Sequence, residues 1–123
     1  MTTGSAVISL SDKLATFSDH WNPRIVANYN GNEVRIAKLK GGFDWHSHSE
    51  TDEMFMVLHG ELDIQFRDRT EHLNEGQILV VPKGVEHRPV ANEECHVMFM
   101  DREGEPNTGV NPSDLTRAKL EVI

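Results

Sequence analysis

Five short runs of strand length, each closed by turn residues, constrain this chain more than any other feature. "EVRIAKL", "MFMVL", "ELDIQFR", "QILVV" and "CHVMFM" are apolar or alternating, and between them stand "KGG", "HG", "DR", "NEG", "PKG" and "AN". Gly, Pro, Asn and Asp punctuate the backbone there, because they supply turn geometries other residues resist. Turns this closely spaced leave no room for helices crossing between parallel strands. The pattern predicts an all-β antiparallel sandwich or barrel. In "ELDIQF", Leu62, Ile64 and Phe66 share one face and Glu61, Asp63 and Gln65 the other, so this strand is half-buried. Ahead of the strands, Ser11 and Asp12 are cap candidates. Leu14, Phe17 and Trp21 follow at helical spacing, which predicts a short N-terminal helical segment over 11–21. From Asp101 onward the chain is rich in Gly, Pro and Asn and reads as a loop that wraps the barrel or reaches a second subunit.

At 123 residues the chain makes one domain, 1–123. The formal charge of −8 argues against nucleic acid and anionic membrane surfaces, both of which need clustered Lys and Arg. No apolar run reaches the length that crosses a bilayer, and the start "MTTGSAVISLSDKL" lacks the charged and apolar regions of a secretory signal. Cys95 is the one cysteine, so no intrachain disulfide forms; a reducing, cytoplasmic setting is expected.

"FDWHSHSETDEMFMVLHG", residues 43–60, holds three histidines and four carboxylates. In a strand, residues two apart face the same side, so His46 and His48 can aim both imidazoles at one point. Glu53 has the wrong parity for one straight strand, but a reversal within "SETD" returns it to face them. Downstream, "GQILVVPKGVEH" sets His87 just past the rigid "PKG" turn. The four groups can partner one another as a buried hydrogen-bond cluster, or form a mixed nitrogen and oxygen site suited to a divalent first-row metal.

The spacing His46-x-His48-x4-Glu53-x6-Gly60 resembles the first cupin motif, about 41–60. Gly76-x5-Pro82-x-Gly84-x2-His87 resembles the second, about 76–92. Gly41 lies one residue closer to His46 than the pattern has it, and Asn92 falls one residue late. The resemblance to small single-domain cupins implies a jelly-roll barrel of six to eight strands around the site, often a homodimer packed sheet to sheet. It implies one divalent transition metal per chain (Fe, Mn, Ni, Co, Cu or Zn) on His46, His48, Glu53 and His87.

An octahedral ion on four such ligands keeps two neighbouring positions for a small oxygenated molecule, with Glu53 available as proton acceptor. The implied function is therefore a metal-dependent enzyme. Dioxygenase-type chemistry is favoured, and isomerase or lyase chemistry is the neighbouring possibility. The alternative is a non-catalytic module that binds or senses a small ligand. Among substrate-contact candidates, Phe55 shares a face with Glu53. Arg35 can reach into the barrel from "EVRIAKL" to hold an anionic group. His96 shares a face with Met98 and Met100 that either lines the pocket or packs outside it. His59 in its "HG" turn and His72 are expected at the surface, and Cys95 as a small buried hydrophobe.

Overall fold

The structure is a computed structural model and describes residues 5–123. One helix, α1 (Leu10–Leu14), precedes the strands β1 (Arg24–Tyr29), β2 (Asn32–Gly42), β3 (Glu53–His59) and β4 (Leu62–Gln65). β5 (Thr70–Leu73), β6 (Ile78–Val81), β7 (Arg88–Arg102) and β8 (Glu121–Val122) complete the chain. Every pairing is antiparallel except β1 with β8. No helix among the described residues is long and apolar enough to cross a membrane.

The barrel is organised by its longest strand. β7 follows β2 from Asn32↔Arg102 to Leu39↔Cys95, and then the register jumps to Gly41↔Ala91. The extra residues, Asn92 to Glu94, are exposed and form a bulge that bends the strand. On one side of that bend β7 pairs with β3 (Met54↔Met100 to Val57↔Val97). On the other it pairs with β4 (Asp63↔Val90 to Gln65↔Arg88). A single strand thus belongs to both walls, and the core lies between them, with Leu39, Phe55, Val57, Ile64 and Val97 at its centre.

Strand parity follows the side-chain pattern. β3 alternates Glu53, Phe55 and Val57 inward with Met54, Met56 and Leu58 outward, and in β4 Leu62 and Ile64 are buried as expected. β2 departs from expectation. Its inward row is Glu33, Arg35, Ala37 and Leu39, while Ile36 is buried on the opposite face. Ile36 is covered because the N-terminal segment lies over the outer wall and builds a second apolar cluster from Leu14, Val26 and Ile36. That helix starts earlier than expected. Ser9, not Ser11 or Asp12, is the N-cap, its hydroxyl accepting from the Asp12 N–H, and the helix ends at Leu14. Phe17 and Trp21 lie beyond it, and Trp21 takes a left-handed conformation at φ 55°.

The C-terminal tail wraps its own barrel. The Val110 N–H donates to Ser47 O (3.0 Å), the Ser47 N–H to Asn111 Oδ1 (3.3 Å) and the Ile123 N–H to Ile25 O (3.0 Å). Asn107 and Thr108, residues of the tail itself, are buried.

Candidate metal centre

His46 and His48 stand on an extended segment that joins the sheet at one point only. The His46 N–H donates to His87 O (3.1 Å) and the His87 N–H to His46 O (2.9 Å), an isolated antiparallel bridge that sets the two histidines side by side. Parity holds along this segment: His46 and His48 are buried, Trp45 and Ser47 half-buried. The "PKG" turn is fastened to it, since the Gly84 N–H donates to His48 O (2.7 Å). Glu53 opens β3 after the bend at Ser49 and Glu50, which is the reversal its parity required.

Four ligand atoms, one each from His46, His48, Glu53 and His87, all lie within 4.8 Å of one another. The residues are 2%, 2%, 3% and 0% exposed, so no solvent satisfies them. The orientation of each ring is fixed from behind. Nδ1 of His46 bonds Asp44 O (2.9 Å), Nδ1 of His87 bonds Val85 O (3.0 Å) and Nδ1 of His48 bonds the Glu105 carboxylate (2.9 Å). A neutral imidazole that donates through Nδ1 keeps its lone pair on Nε2. Nε2 of His87 sits 3.1 Å from Glu53 Oε1. Nε2 of His48 is 3.4 Å from the same oxygen without hydrogen-bond geometry, and it is buried with no partner. Three imidazole nitrogens and a carboxylate at one point, with Nε2 of His48 buried and unpartnered and Nε2 of His87 bonded only to Glu53, fit a divalent ion.

His46, His48, Glu53 and Asp101 are shifted in different directions. Burial, then the neighbouring His87, push the His46 pKa down to about 4. Burial also disfavours charge on His48, but contacts with Glu53 and Glu105 outweigh it and its pKa is raised. For Glu53, burial favours the neutral acid, yet His48 and His87 hold it well below the ordinary carboxylate range. Behind Glu53 lies Asp101. Burial and the charge of Glu53 raise its pKa well above the usual range against the pull of Arg35. Held neutral, Asp101 can donate to Glu53, which gives its otherwise unpartnered Oδ1 a role.

A cavity opens beside His46 and Glu53, walled by Trp21, Leu39, Phe43, Phe55, Val97 and Phe99. Its free space, mouth included, is about 390 Å³. Phe55 takes the position expected of it on this wall. Arg35 does reach inside the barrel, but Nε and Nη2 are on Glu33 Oε1 (3.1 and 2.7 Å), Nη1 is on Asp101 Oδ2 (3.2 Å), and Nη2 also reaches Glu105 O (2.8 Å). With four of its five N–H donors on protein oxygens and no place on the cavity wall, it is tied into the fold. His96 faces outward, opposite Lys38 and His59 and bonded to Glu94 (3.1 Å). The face it shares with Met98 and Met100 is the outer one, the second of the two placements open to it, and His96 does not border the cavity beside His46. His59 and His72 are exposed and Cys95 is buried, its thiol pKa pushed by burial to about 12.

Sequence reasoning missed Asp101, Glu105, Trp21 and the place of Phe43 at the cavity. Asp101 carried a signal, since Cys95, Val97, Phe99 and Asp101 share inward parity and a carboxylate ends an apolar row. Glu105 carried none, because it lies in an irregular tail.

Comparison with known proteins agrees with this geometry. The cupin domain family matches residues 32–101, which include all four clustered residues. The Bacillus subtilis (strain 168) protein YdbB is 40% identical over 80 residues, 64% of this chain and 65% of that protein, so the match spans somewhat less than two thirds of the relative's length. A cupin-2 domain containing protein from Shewanella frigidimarina superposes with a TM-score of 0.78 at 44% identity, covering 79% of this chain and 95% of that one. A Neisseria meningitidis protein does so at 0.73 and 30% identity, covering 80% and 100%. With the jelly-roll barrel, the two motifs and the family match all over the same residues, this chain is a member of the cupin family.

Proposed function

We propose that the chain is a metal-dependent enzyme that acts on a small oxygenated organic molecule at His46, His48, Glu53 and His87, with dioxygenase-type chemistry favoured. One observation carries the reading: three imidazoles tied back through Nδ1 gather with one buried carboxylate at the wall of a cavity, with His48 Nε2 left unpartnered. A bound divalent ion would supply Lewis acidity, polarising a ligand oxygen and lowering its pKa. The protein's part is positional. Asp44 O, Val85 O and Glu105 orient the imidazoles, Asp101 supports Glu53, and the apolar wall keeps bulk water from the reacting atoms. Glu53, the carboxylate that borders the cavity, is the candidate to accept a substrate proton.

The test is elemental analysis of untagged protein purified without added metal, followed by oxygen uptake with small chelating substrates. Close to one iron, manganese, nickel, cobalt or copper per chain together with oxygen uptake supports the proposal. A metal-loaded chain that returns every ligand unchanged favours the binding or sensing module. No metal at all overturns both.

The tail provides a second test. Gly109 has φ 60°, and an added Cβ would collide with the Ser47 carbonyl. Gly109→Ala is expected to lift the 105–111 strap, for a left-handed alanine costs about 1–2 kcal/mol even without the clash. Because Glu105 then leaves His48, metal affinity should fall roughly 10–100-fold although no ligand is altered. Glu105→Gln, which keeps the strap, should reproduce part of that fall. Chelator competition reads both, and unchanged affinity in both would deny Glu105 its role.

We further propose a homodimer through the outer wall, where Ile78 and Val80 are exposed beside half-buried Met54, Met56 and Met100. The family resemblance supports sheet-to-sheet packing there, and sedimentation of Val80→Glu against the parent tests it. A reducing, cytoplasmic setting remains the proposed compartment for a chain whose single thiol is buried.

A further inference from the structure

The cavity walls define what the site can select. Of the polar residues that border it, His46 and Glu53 belong to the metal centre. The third, Asn107, is turned to the tail, Nδ2 donating to Leu115 O (2.9 Å) and Oδ1 accepting from the Arg117 N–H (2.9 Å), and it carries no charge. No Lys or Arg lies on the wall. A phosphate or second carboxylate entering here would be buried without a counter-charge. A divalent ion beside the Glu53 carboxylate, with the Glu105 carboxylate behind His48, leaves at most one positive charge, which disfavours a ligand with more than one negative charge.

The aromatic part of the wall is held with unusual care. Trp21 has φ 55°, a conformation costly for a bulky residue. Three hydrogen bonds keep it there. Its N–H donates to Lys38 O (3.0 Å), its indole Nε1 to Lys40 O (2.9 Å), and its carbonyl accepts from Arg117 Nε (3.2 Å). The ring stacks on Phe43 with centroids 4.7 Å apart and planes 22° from parallel, and Phe43 in turn meets His46 edge-on at 5.2 Å. With its N–H already used, the indole can offer a ligand only its apolar ring. Strain that persists because three bonds enforce it, at the wall of a site, points to a purpose beyond packing.

We propose that the ligand of this site is a flat, largely apolar molecule with neighbouring oxygen donors and at most one negative charge, and that Trp21 on Phe43 is the wall that selects it. The inference rests on the reading of the four clustered residues as a metal centre. It separates single-ring diols and enols, which an aromatic and apolar wall favours, from sugar phosphates and dicarboxylates, which it disfavours.

The experiment uses full-length protein loaded with zinc, which is redox-inert, and Trp45→Phe as background so that Trp21 is the sole indole; the chain has two tryptophans. Trp45 lies outside, under the Arg67 guanidinium at 3.8 Å. The probes are 4-methylcatechol and oxalate, read by fluorescence and calorimetry. Methylcatechol is expected to bind and to change Trp21 emission. Trp21→Gly suits the left-handed backbone and should keep close to one zinc per chain. It is expected to weaken methylcatechol at least about tenfold, from lost stacking and apolar burial, and to leave oxalate unchanged or tighter. The proposal is overturned if methylcatechol fails to bind the zinc-loaded chain, leaves Trp21 emission unmoved, or is unaffected by Trp21→Gly. It is also overturned if that variant weakens both probes equally. A chain that takes up no zinc fails differently, by removing the metal centre itself.

Discussion

A chain carrying His46→Ala and His48→Ala together is expected to purify with almost no transition metal, where the unaltered chain holds close to one ion. Only His87 and Glu53 would remain to hold an ion, and they already contact each other at 3.1 Å. The loss should also appear as stability. An ion supplied at about a thousandfold above its dissociation constant stabilises a native state by about 4 kcal/mol, roughly 10–20 °C in Tm for a domain of this size. The parent should show that rise and the double variant none. His96→Ala, on the outer face, serves as the control and should keep both metal and rise. The hydrogen-bond cluster without a metal makes the opposite forecast: no metal response in the parent, and a double variant less stable than the parent in chelator. Stoichiometric metal retained by the double variant would place the ion elsewhere.

The residues that were legible in the sequence are those whose information is local. Two imidazoles on either side of Ser47 share a face whatever surrounds them, and "PKG" turns the chain wherever it occurs, so the four clustered residues could be named from spacing. The alternation in β3 and β4 was legible for the same reason: one face of each is buried and the other is not. Arg35 shows where this fails. On a strand alternating with Val34 and Ile36, parity alone assigns the apolar residues inward and the arginine outward. The reverse holds because α1 covers Ile36 from outside while Glu33 supplies a counter-charge and Asp101 a hydrogen-bond acceptor inside, and neither fact is local to the strand. His96 was ambiguous in the same way, its face being outer only because β7 turns Val97 and Phe99 inward. Glu105 and Trp21 act through contacts across the chain, to His48 and to Lys40, from segments without regular structure. No periodicity can place such residues, and together they set the back and the mouth of the site.

Arg35→Leu is expected to destabilise the protein by about 3–5 kcal/mol, the cost of removing one partner from a buried ionic group. Arg35 is 1% exposed, Glu33 8% and Asp101 0%. One guanidinium serves two carboxyls, Glu33 and Asp101, and the carbonyl of Glu105, while Glu53 adjoins Asp101. Leucine matches the stem but leaves these oxygens buried without a donor, and Tm should fall by more than roughly 10 °C. Arg35→Lys keeps the charge without the planar fork, so its loss should be intermediate. The same substitution reaches the metal centre by two routes. Asp101 adjoins Glu53, and the backbone of Glu105 is anchored by Arg35 while its carboxylate orients His48. Metal affinity should therefore fall with stability, although Arg35 touches neither an ion nor the cavity. An Arg35→Leu chain as stable as its parent, impaired only in binding anionic ligands, would return the guanidinium to the ligand role that its position argues against. The joint loss would instead identify one buried cation as the point where β2, β7 and the tail are fastened around the four clustered residues.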